Sequence, residues 1–288
     1  MKVCAMTMVY RDYWALAQWI KHYSDQIGIE NLFIVAHGND EKVNEIAKGA
    51  NIWTIPRDTV ERFDRRRNKM LNGFQSGLLQ FYDWVVRTDA DELICPDPAR
   101  YANLCDVLAS QSSDAVFAMG LNLFEDFGDL EIDDDTSVFK TRSAAIVTGN
   151  YSKAWAVSAD IPLMRHGVKI GCGEDLTHGY MFPEATYLVH LKFANIAALT
   201  EANETRKSIA RSGFPGVPGL GWRKADLHAK RFFDTANDMP QTAWSEAVEG
   251  ARLAILSDMK YSEKDGVIRS PGIPYIYRTK LPDWFRKY

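Results

Sequence analysis

The sequence WVVRTDADEL, residues 84–93, places an apolar run directly before three carboxylates, Asp89, Asp91 and Glu92. An apolar run bounded in this way is typical of a strand buried inside a sheet. In an open α/β sheet, ligands bind at the carboxyl ends of the strands, so carboxylates that follow such a strand lie where a site is expected. If the chain stays extended there, Asp89 and Asp91 point to one side and Ala90 points away.

Two oxygen donors on one side of a chain suit a hard divalent cation. Mg²⁺ and Mn²⁺ prefer carboxylate and water ligands, and Mg²⁺ keeps several waters while sharing phosphate oxygens. The alternative interpretation is that the carboxylates end the strand and solvate a loop, because short motifs match often by chance. For Glu92 alone, the sequence favours a turn-holding role or a contact with a neighbouring cation.

Strand-like runs and helical periods alternate through the first half of the chain. This alternation is the signature of a parallel α/β sheet. The predicted strands are 3–9, 32–36, 52–55 and 84–88, and the predicted helices are 12–27, 41–48, 62–82 and one opened by Asp97-Pro98.

The pattern changes after residue 121. Short apolar runs at 144–147, 153–157 and 187–191 have no long helix between them, which predicts mixed or antiparallel sheet. Helical periodicity returns at 195–211 and 244–259. Between these helices, the Gly- and Pro-rich stretch GFPGVPGLGW, residues 213–222, predicts either a structured loop or a mobile lid.

Composition narrows the class of protein. The 288 residues are 46% hydrophobic with a net charge of −4, which predicts a globular protein and argues against a nucleic-acid partner. The four cysteines form no C-x-x-C pair, which favours a cytoplasmic location. No signal peptide and no apolar run of membrane-spanning length are recognisable, so we expect no transmembrane segment, while peripheral membrane contact stays open.

Three regions of the chain resemble the GT-A fold glycosyltransferases, family 2-like, of the D-x-D-E type. They are residues 6–41, DWVVRTDADELICP at 83–96 and TYLVHLKF at 186–193. The resemblance implies a GT-A type, Rossmann-like mixed but mainly parallel sheet flanked by helices, with a C-terminal helical extension. It implies a catalytic domain over 1–195 and a helical segment and tail over 196–288 packed on the same domain.

The resemblance also implies the activity and its metal. It implies transfer of a sugar from a nucleotide-diphosphate sugar, with uridine diphosphate the expected carrier, to a saccharide or other hydroxyl acceptor, as in polysaccharide biosynthesis. Asp91 is implied as a ligand of Mn²⁺ or Mg²⁺, Asp89 as a ligand of the metal or of the donor ribose, and His190 as a third metal ligand. The alternative for His190 is a hydrogen-bonded core histidine.

The implied donor-binding residues fall in two groups. Because helix N-termini attract phosphate, Arg65 and Lys69 near the start of the long helix are candidates for the diphosphate; a solvated basic face is the alternative. The resemblance adds residues at strand ends, for the base, the ribose and the leaving diphosphate: Met8, Tyr10, Arg11, Asp40 and Lys192.

An inverting reaction needs a carboxylate that deprotonates the acceptor hydroxyl. The candidates are Glu174 and Asp175 in GCGEDLTHG, ranked slightly ahead of Glu125 and Asp126 in NLFEDFG, and the choice among them stays open. Trp155 and Trp222 are candidates for stacking on the acceptor. Two rival functions also stay open: a non-catalytic nucleotide-sugar binding protein and, less favoured, a haloacid dehalogenase-type phosphatase, whose D-x-D normally lies near the N-terminus.

Overall fold

The computed structural model of the chain describes residues 1–133, 136–164, 166–172, 175–176 and 178–288. The predicted alternation of strands and helices in the first half is confirmed. The strands are β1 Val3–Val9, β2 Leu32–His37, β3 Asn51–Ile55, β4 Trp84–Arg87, β5 Glu92–Pro96, β6 Ala115–Phe117, β7 Met119–Phe124, β8 Ala144–Thr148, β9 Ala154–Val157, β10 Leu163–Met164, β11 Gly167–Lys169, β12 Gly171–Cys172, β13 Asp175–Leu176, β14 Thr186–Phe193, β15 Lys260–Ser262, β16 Val267–Arg269 and β17 Tyr277–Lys280.

The helices cover both faces of the sheets and continue into the last third of the chain. They are α1 Tyr13–Ile27, α2 Glu41–Ile46, α3 Phe63–Leu78, α4 Leu104–Ala109, α5 Val138–Thr141, α6 Ile196–Ala210, α7 Leu220–Arg223, α8 Ala225–Asp238 and α9 Trp244–Ser257, with short 3-10 helices at Ile29–Asn31 and Asp283–Lys287. None of the helices in the described residues is long and apolar enough to cross a membrane.

A six-stranded sheet has the order β3-β2-β1-β4-β9-β6. Its first four strands are parallel, and β9 and β6 complete it in antiparallel pairings. Because the four parallel strands run the same way, their carboxyl ends meet at one edge, where β1 and β4 are neighbours. The predicted class, an α/β fold with a mixed sheet flanked by helices, is confirmed.

A second sheet carries the later strands in the order β17-β8-β7-β14-β5. Strand β5 begins just after the D-x-D and pairs antiparallel with β14, in a register that sets Glu92 opposite His190. Strand β14 also runs parallel to β7, which sets His190 opposite Asn122. Strand β5 was not predicted from the sequence. The D-x-D turn connects the first sheet to this strand, which belongs to the second sheet.

Two predicted elements differ from the structure, and one helix was not predicted. Asp97-Pro98 opens a turn and no helix, with the Asp97 carboxylate accepting from the Ala99 N–H at 2.8 Å; helix α4 starts later and is capped by Asn103. Helix α3 ends four residues before the predicted end at Tyr82. Helix α8 was not predicted. Its buried Phe232 stacks on the Phe193 ring with 3.6 Å between ring centroids.

Gly120 in β7 brings two backbone segments together beside the site. A Cβ atom at Gly120 would lie 2.4 Å from the Tyr151 carbonyl carbon and 2.6 Å from the Ser152 nitrogen, so the backbone would have to move. We expect Gly120→Ala to lower the free energy of unfolding by about 1–3 kcal/mol, measured by urea denaturation.

Gly73→Ala is the matched control, since no atom of the described residues lies within 4 Å of its added Cβ. It lies within α3, where alanine favours the helix over glycine by about 0.5–1 kcal/mol. A Gly120→Ala protein as stable as the wild type would contradict the close approach of these two segments.

Candidate functional site

The chain turns sharply between β4 and β5, and Glu92 holds this turn. The Asp89 N–H donates to Glu92 Oε2 at 2.9 Å, and the Glu92 N–H donates to the Asp89 carbonyl at 3.0 Å. Before the turn, the Trp19 indole N–H donates to Thr88 Oγ1 at 2.8 Å. Since the chain is not extended at residues 89–91, the two D-x-D carboxylates face different partners.

Asp89 faces two cations. Its carboxylate forms an ion pair with Arg67, and Lys153 Nζ lies 3.5 Å away. Burial opposes its ionisation, but Arg67 and Lys153 outweigh that effect and hold the pKa of Asp89 well below its usual range. Lys153 also lies 2.7 Å from Oε1 of Glu92, a wholly buried side chain whose pKa burial raises to about 7.

Asp91 faces His190. Its Oδ2 lies 3.2 Å from His190 Nε2, and on the other side of the ring His190 Nδ1 lies 2.7 Å from Asn122 Oδ1. The Tyr151 ring stacks on the imidazole with 3.7 Å between centroids. Burial lowers the pKa of His190, which favours the neutral form that binds metals. The amide of Asn122 orients the ring in the manner of a partner behind a metal ligand.

The donor set fits a metal with few protein ligands. Within the described ranges of the chain, no group of three or more His, Cys, Asp or Glu side chains is arranged to hold a metal ion. Asp91 and His190 form a close pair, while Asp89 is turned to Arg67 and Lys153. Two such donors suit Mg²⁺ or Mn²⁺ when water and phosphate oxygens supply the rest of the coordination.

The Asp91–His190 pair lies in a cavity of about 340 Å³ that we call the inner chamber. The structure brings most of the predicted metal and donor residues together on its walls. These are Met8, Tyr10, Arg11, Asp89, Asp91, His190 and Lys192.

A second cavity, which we call the apolar pocket, adjoins the inner chamber and has a volume of about 270 Å³. Met8, Phe63 and Arg67 line both spaces. The Phe63 ring stacks on His37 with 5.8 Å between centroids. In the adjoining inner chamber, the Arg57 guanidinium lies 3.3 Å from the centre of the Tyr10 ring. A flat aromatic ligand group suits such walls.

Asp40 is engaged elsewhere. Its carboxylate caps α2 by accepting from the Lys42 and Val43 N–H groups at 3.1 and 3.4 Å, and it accepts from the Tyr13 hydroxyl at 3.0 Å. It is absent from the described lining of the inner chamber and of the apolar pocket, so its predicted contact with the base stays a prediction.

The third cavity, about 930 Å³, is the basic chamber. It meets the inner chamber at Asp64, Arg67, Asp89 and His166. Arg65 and Lys69 line it and are absent from the described lining of the inner chamber. The other basic side chains on its walls are Arg62, Arg87 and Lys153.

Several side chains of the site were missed by sequence reasoning. Asp12 lies in the inner chamber and makes no capping bond, and desolvation together with the charge of Asp91 raises its pKa to about 7. Arg206 enters from α6, and Lys153 and Tyr151 come from the segment before β9. Only the tertiary fold brings these residues together, so no local pattern in the sequence marks them.

The Gly- and Pro-rich stretch contacts the start of α3 and runs into the short helix α7. The Arg62 N–H donates to the Pro215 carbonyl at 2.8 Å, and a Cβ at Gly216, whose φ is +68°, would touch Arg62. Trp222 lines the inner chamber and packs on Phe63 with 5.8 Å between centroids, whereas Trp155 is fully buried in the core.

The candidate acceptor bases differ in what the structure describes of them. Asp126 accepts from Arg278 Nη2 at 2.9 Å and is absent from the described lining of the inner and basic chambers. Glu174 lies outside the described residues. The backbone of Asp175 belongs to β13 and pairs with Cys172, but its side chain lies outside what is described.

No protein-family model matches this sequence, and no curated protein sequence matches it. Among solved structures, the chain is similar to TarS of S. aureus (residues 1–349, in complex with UDP), at 14% identity and a TM-score of 0.35 over 83% of this chain and 71% of that one. The alignment with another TarS structure spans 43% of that protein.

Two further structures are similar at the same level. A 4-diphosphocytidyl-2C-methyl-D-erythritol synthase aligns over 46% of this chain and 69% of its own, with 12% identity and a TM-score of 0.31. A CMP:2-keto-3-deoxy-manno-octonic acid synthetase complexed with CTP aligns over 82% and 86%, with 10% identity and a TM-score of 0.30. At these scores, function has to be inferred from the site itself.

Proposed function

We propose that this chain is a metal-dependent glycosyltransferase that moves a sugar from a nucleotide-diphosphate sugar, with uridine diphosphate as the expected carrier, to a hydroxyl acceptor. The observation that carries the proposal is the Asp91–His190 pair at 3.2 Å, placed where the carboxyl end of β4 meets the second sheet. The apolar pocket and the basic chamber each share lining residues with this pair's chamber.

In this proposal, different cavities bind different parts of the nucleotide-sugar donor. The apolar pocket and the Tyr10–Arg57 pair would take the base, and the inner chamber would take the ribose and diphosphate. Lys192 and Arg206 line the same chamber and would neutralise phosphate charge. Asp89, held ionised by Arg67 and Lys153, would accept a hydrogen bond from a ribose hydroxyl.

Asp91 and His190 would hold Mn²⁺ or Mg²⁺, which supplies charge neutralisation at the departing diphosphate. The protein's own part is to fix the donor set: Asn122 and Tyr151 set the orientation of the imidazole, and Glu92 fixes the turn that aims Asp91. Polar groups that are already fixed in position and aimed at the charge that develops in the transition state stabilise it more than mobile groups do.

The acceptor hydroxyl needs a base near the transferred sugar. Among the described carboxylates, Asp64 lies where the inner and basic chambers meet. Desolvation raises its pKa, against the opposing charge of Arg67. We propose Asp64 for this role beside Glu174 and Asp175, in place of Asp126.

The test is a thermal-shift titration of UDP with and without Mn²⁺. A ligand that binds only the folded state raises its stability by mass action, by about 2.7 kcal/mol at one hundred times Kd. We expect a clear rise in Tm with UDP and Mn²⁺ together and a much smaller one with either alone. GMP is the control ligand.

Turnover separates the enzyme from a binding protein. We expect slow release of UDP from UDP-sugars in the presence of Mn²⁺, since water can replace the acceptor. A Mn²⁺-dependent UDP shift without release or transfer would favour the non-catalytic binding protein, and phosphate release from simple phosphomonoesters would favour the phosphatase. No metal-dependent shift with any nucleoside diphosphate would overturn the proposal.

A further inference from the structure

The basic chamber carries a strong excess of positive charge. Among its described lining residues, six side chains are cationic and two, Asp64 and Asp89, are carboxylates. The chain as a whole has a net charge of −4, so the local excess does not follow from composition. The six cations are Arg62, Arg65, Arg67, Lys69, Arg87 and Lys153.

Under the proposed function, the donor diphosphate does not account for this charge. The diphosphate belongs beside Asp91 and His190, which line the inner chamber and are absent from the described lining of the basic chamber. Lys192 and Arg206 are the cations on that side. Arg65, Lys69 and Arg87 face only the basic chamber among the three cavities.

Arg87 is fixed in the wall of the basic chamber by neutral groups. Its Nη1 donates to Asn72 Oδ1 at 2.6 Å and to Gln75 Oε1 at 3.3 Å, and its Nη2 donates to the Leu163 carbonyl at 3.0 Å. In the described part of the chain, no carboxylate lies within 4.0 Å of its guanidinium nitrogens. Asp89 acts on Arg87 from beyond that distance but is itself paired with Arg67 and Lys153, so a bound anion would add counter-charge at Arg87.

Two of the remaining cations lie on one face of helix α3. Arg65 and Lys69 lie one turn apart on α3, the helix that also supplies Asn72 and Gln75 to Arg87. Residues four apart on a helix lie on the same side, so both reach the space in front of Arg87. Guanidinium and ammonium groups together suit a carboxylate or a phosphate.

We propose that one of the two reacting substrates carries an anionic group, a carboxylate or a phosphate, in addition to the donor diphosphate, and that the basic chamber binds it through Arg65, Lys69 and Arg87. The inference rests on the proposed function for the placement of the nucleotide. It assigns Arg65 and Lys69 to this group and away from the diphosphate. The group belongs either to the transferred sugar or to the acceptor.

Binding without turnover gives the first test. In saturating UDP and Mn²⁺, glucose 6-phosphate, glucuronate and inorganic phosphate are titrated against Tm, with glucose as the neutral probe. We expect the anions to raise Tm and glucose to leave it unchanged. The double variant Arg65→Gln, Lys69→Gln should weaken apparent anion affinity by about tenfold or more, because it removes two charge-assisted contacts.

Lys48→Gln is the matched control, because Lys48 is exposed and outside the described lining of the three cavities. Arg65 and Lys69 are also exposed, so their replacement leaves the core intact. An equal response to glucose and to the anions would overturn the proposal, as would anion binding that the double variant does not weaken. If the double variant loses UDP and Mn²⁺ affinity to the same degree, both cations serve the diphosphate and the proposal fails.

Turnover distinguishes the two sources of the anion. UDP-glucuronate is compared with UDP-glucose as donor, and sugar phosphates are compared with unmodified sugars as acceptors. A preference of at least about tenfold in kcat/KM for the charged donor or the charged acceptor, lost in the double variant, identifies the source. Preference for neither charged substrate would overturn the proposal.

The two proposals fail in different ways. Without any shift from UDP and Mn²⁺, the glycosyltransferase proposal falls, whatever the anions do. A normal UDP and Mn²⁺ shift with no anion response removes only the basic-chamber assignment.

Discussion

Asp91→Asn is expected to lower kcat/KM for sugar transfer or UDP-sugar hydrolysis on the order of 10³-fold and to remove the Mn²⁺-dependent part of UDP binding. The amide keeps the size of the side chain but removes the charge that faces His190 Nε2 at 3.2 Å. The measurements are initial rates over a Mn²⁺ titration and the Tm shift with UDP in the presence and absence of the metal.

Asp25→Asn is the control for this change, since Asp25 is an exposed residue of α1 far from the site lining. Circular dichroism and the Tm of the free protein should be close to wild type for both variants. A folded Asp91→Asn protein that keeps both its rate and its Mn²⁺ dependence would contradict the metal role of Asp91.

Lys153→Met is expected to lower the free energy of unfolding by about 3–5 kcal/mol, because it leaves a buried carboxylate without its cation. Glu92 is wholly buried, and Lys153 Nζ lies 2.7 Å from its Oε1. Lys153 also neutralises Asp89 at 3.5 Å, so the D-x-D turn itself should loosen. Urea denaturation at neutral pH gives the measurement.

The double variant Lys153→Met, Glu92→Gln separates charge from packing. The amide oxygen of the introduced glutamine can still accept from the Asp89 N–H, as Glu92 Oε2 does at 2.9 Å, and the amide carries no charge that needs a partner. We expect the double variant to recover at least half of the lost stability.

Lys230→Met provides a surface control for the same substitution. Lys230 pairs with Asp234 at 2.8 Å, but its side chain is 70% exposed, so less than about 1 kcal/mol is expected. An equal loss of stability in Lys153→Met and Lys230→Met would show that the buried ion pair contributes no more than an exposed one.

Much of the site could be predicted from the sequence, because local patterns identify the strands and helices that lead up to it. The period of apolar residues set the order of strands and helices up to β4, and the carboxylates follow β4 at the edge where the parallel strands end. The resemblance of TYLVHLKF placed His190 near them, and the structure sets it 3.2 Å from Asp91. The roles of these residues remain proposals.

One element predicted from the sequence was wrong, and one candidate residue has a partner that the sequence did not suggest. Asp97-Pro98 is a good local signal for a helix start, but the backbone makes a turn there, and the chain enters α4 only at Leu104. Asp126, a candidate acceptor base in the sequence, accepts a hydrogen bond from Arg278 of β17, far along the chain. The contact at Asp126 comes from a distant part of the chain, whereas the bond given for the Asp97 turn is local.

The sequence by itself determined the class of fold, the position of the D-x-D and the donor types available, because residue period and residue chemistry are local properties. Only the tertiary structure decided which carboxylate faces which partner. Strand β5 leaves the first sheet to pair with β14, which forces the turn that aims Asp91 at His190 and Asp89 at Arg67 and Lys153. That pairing joins segments far apart in the chain, so no local pattern in the sequence specifies its register.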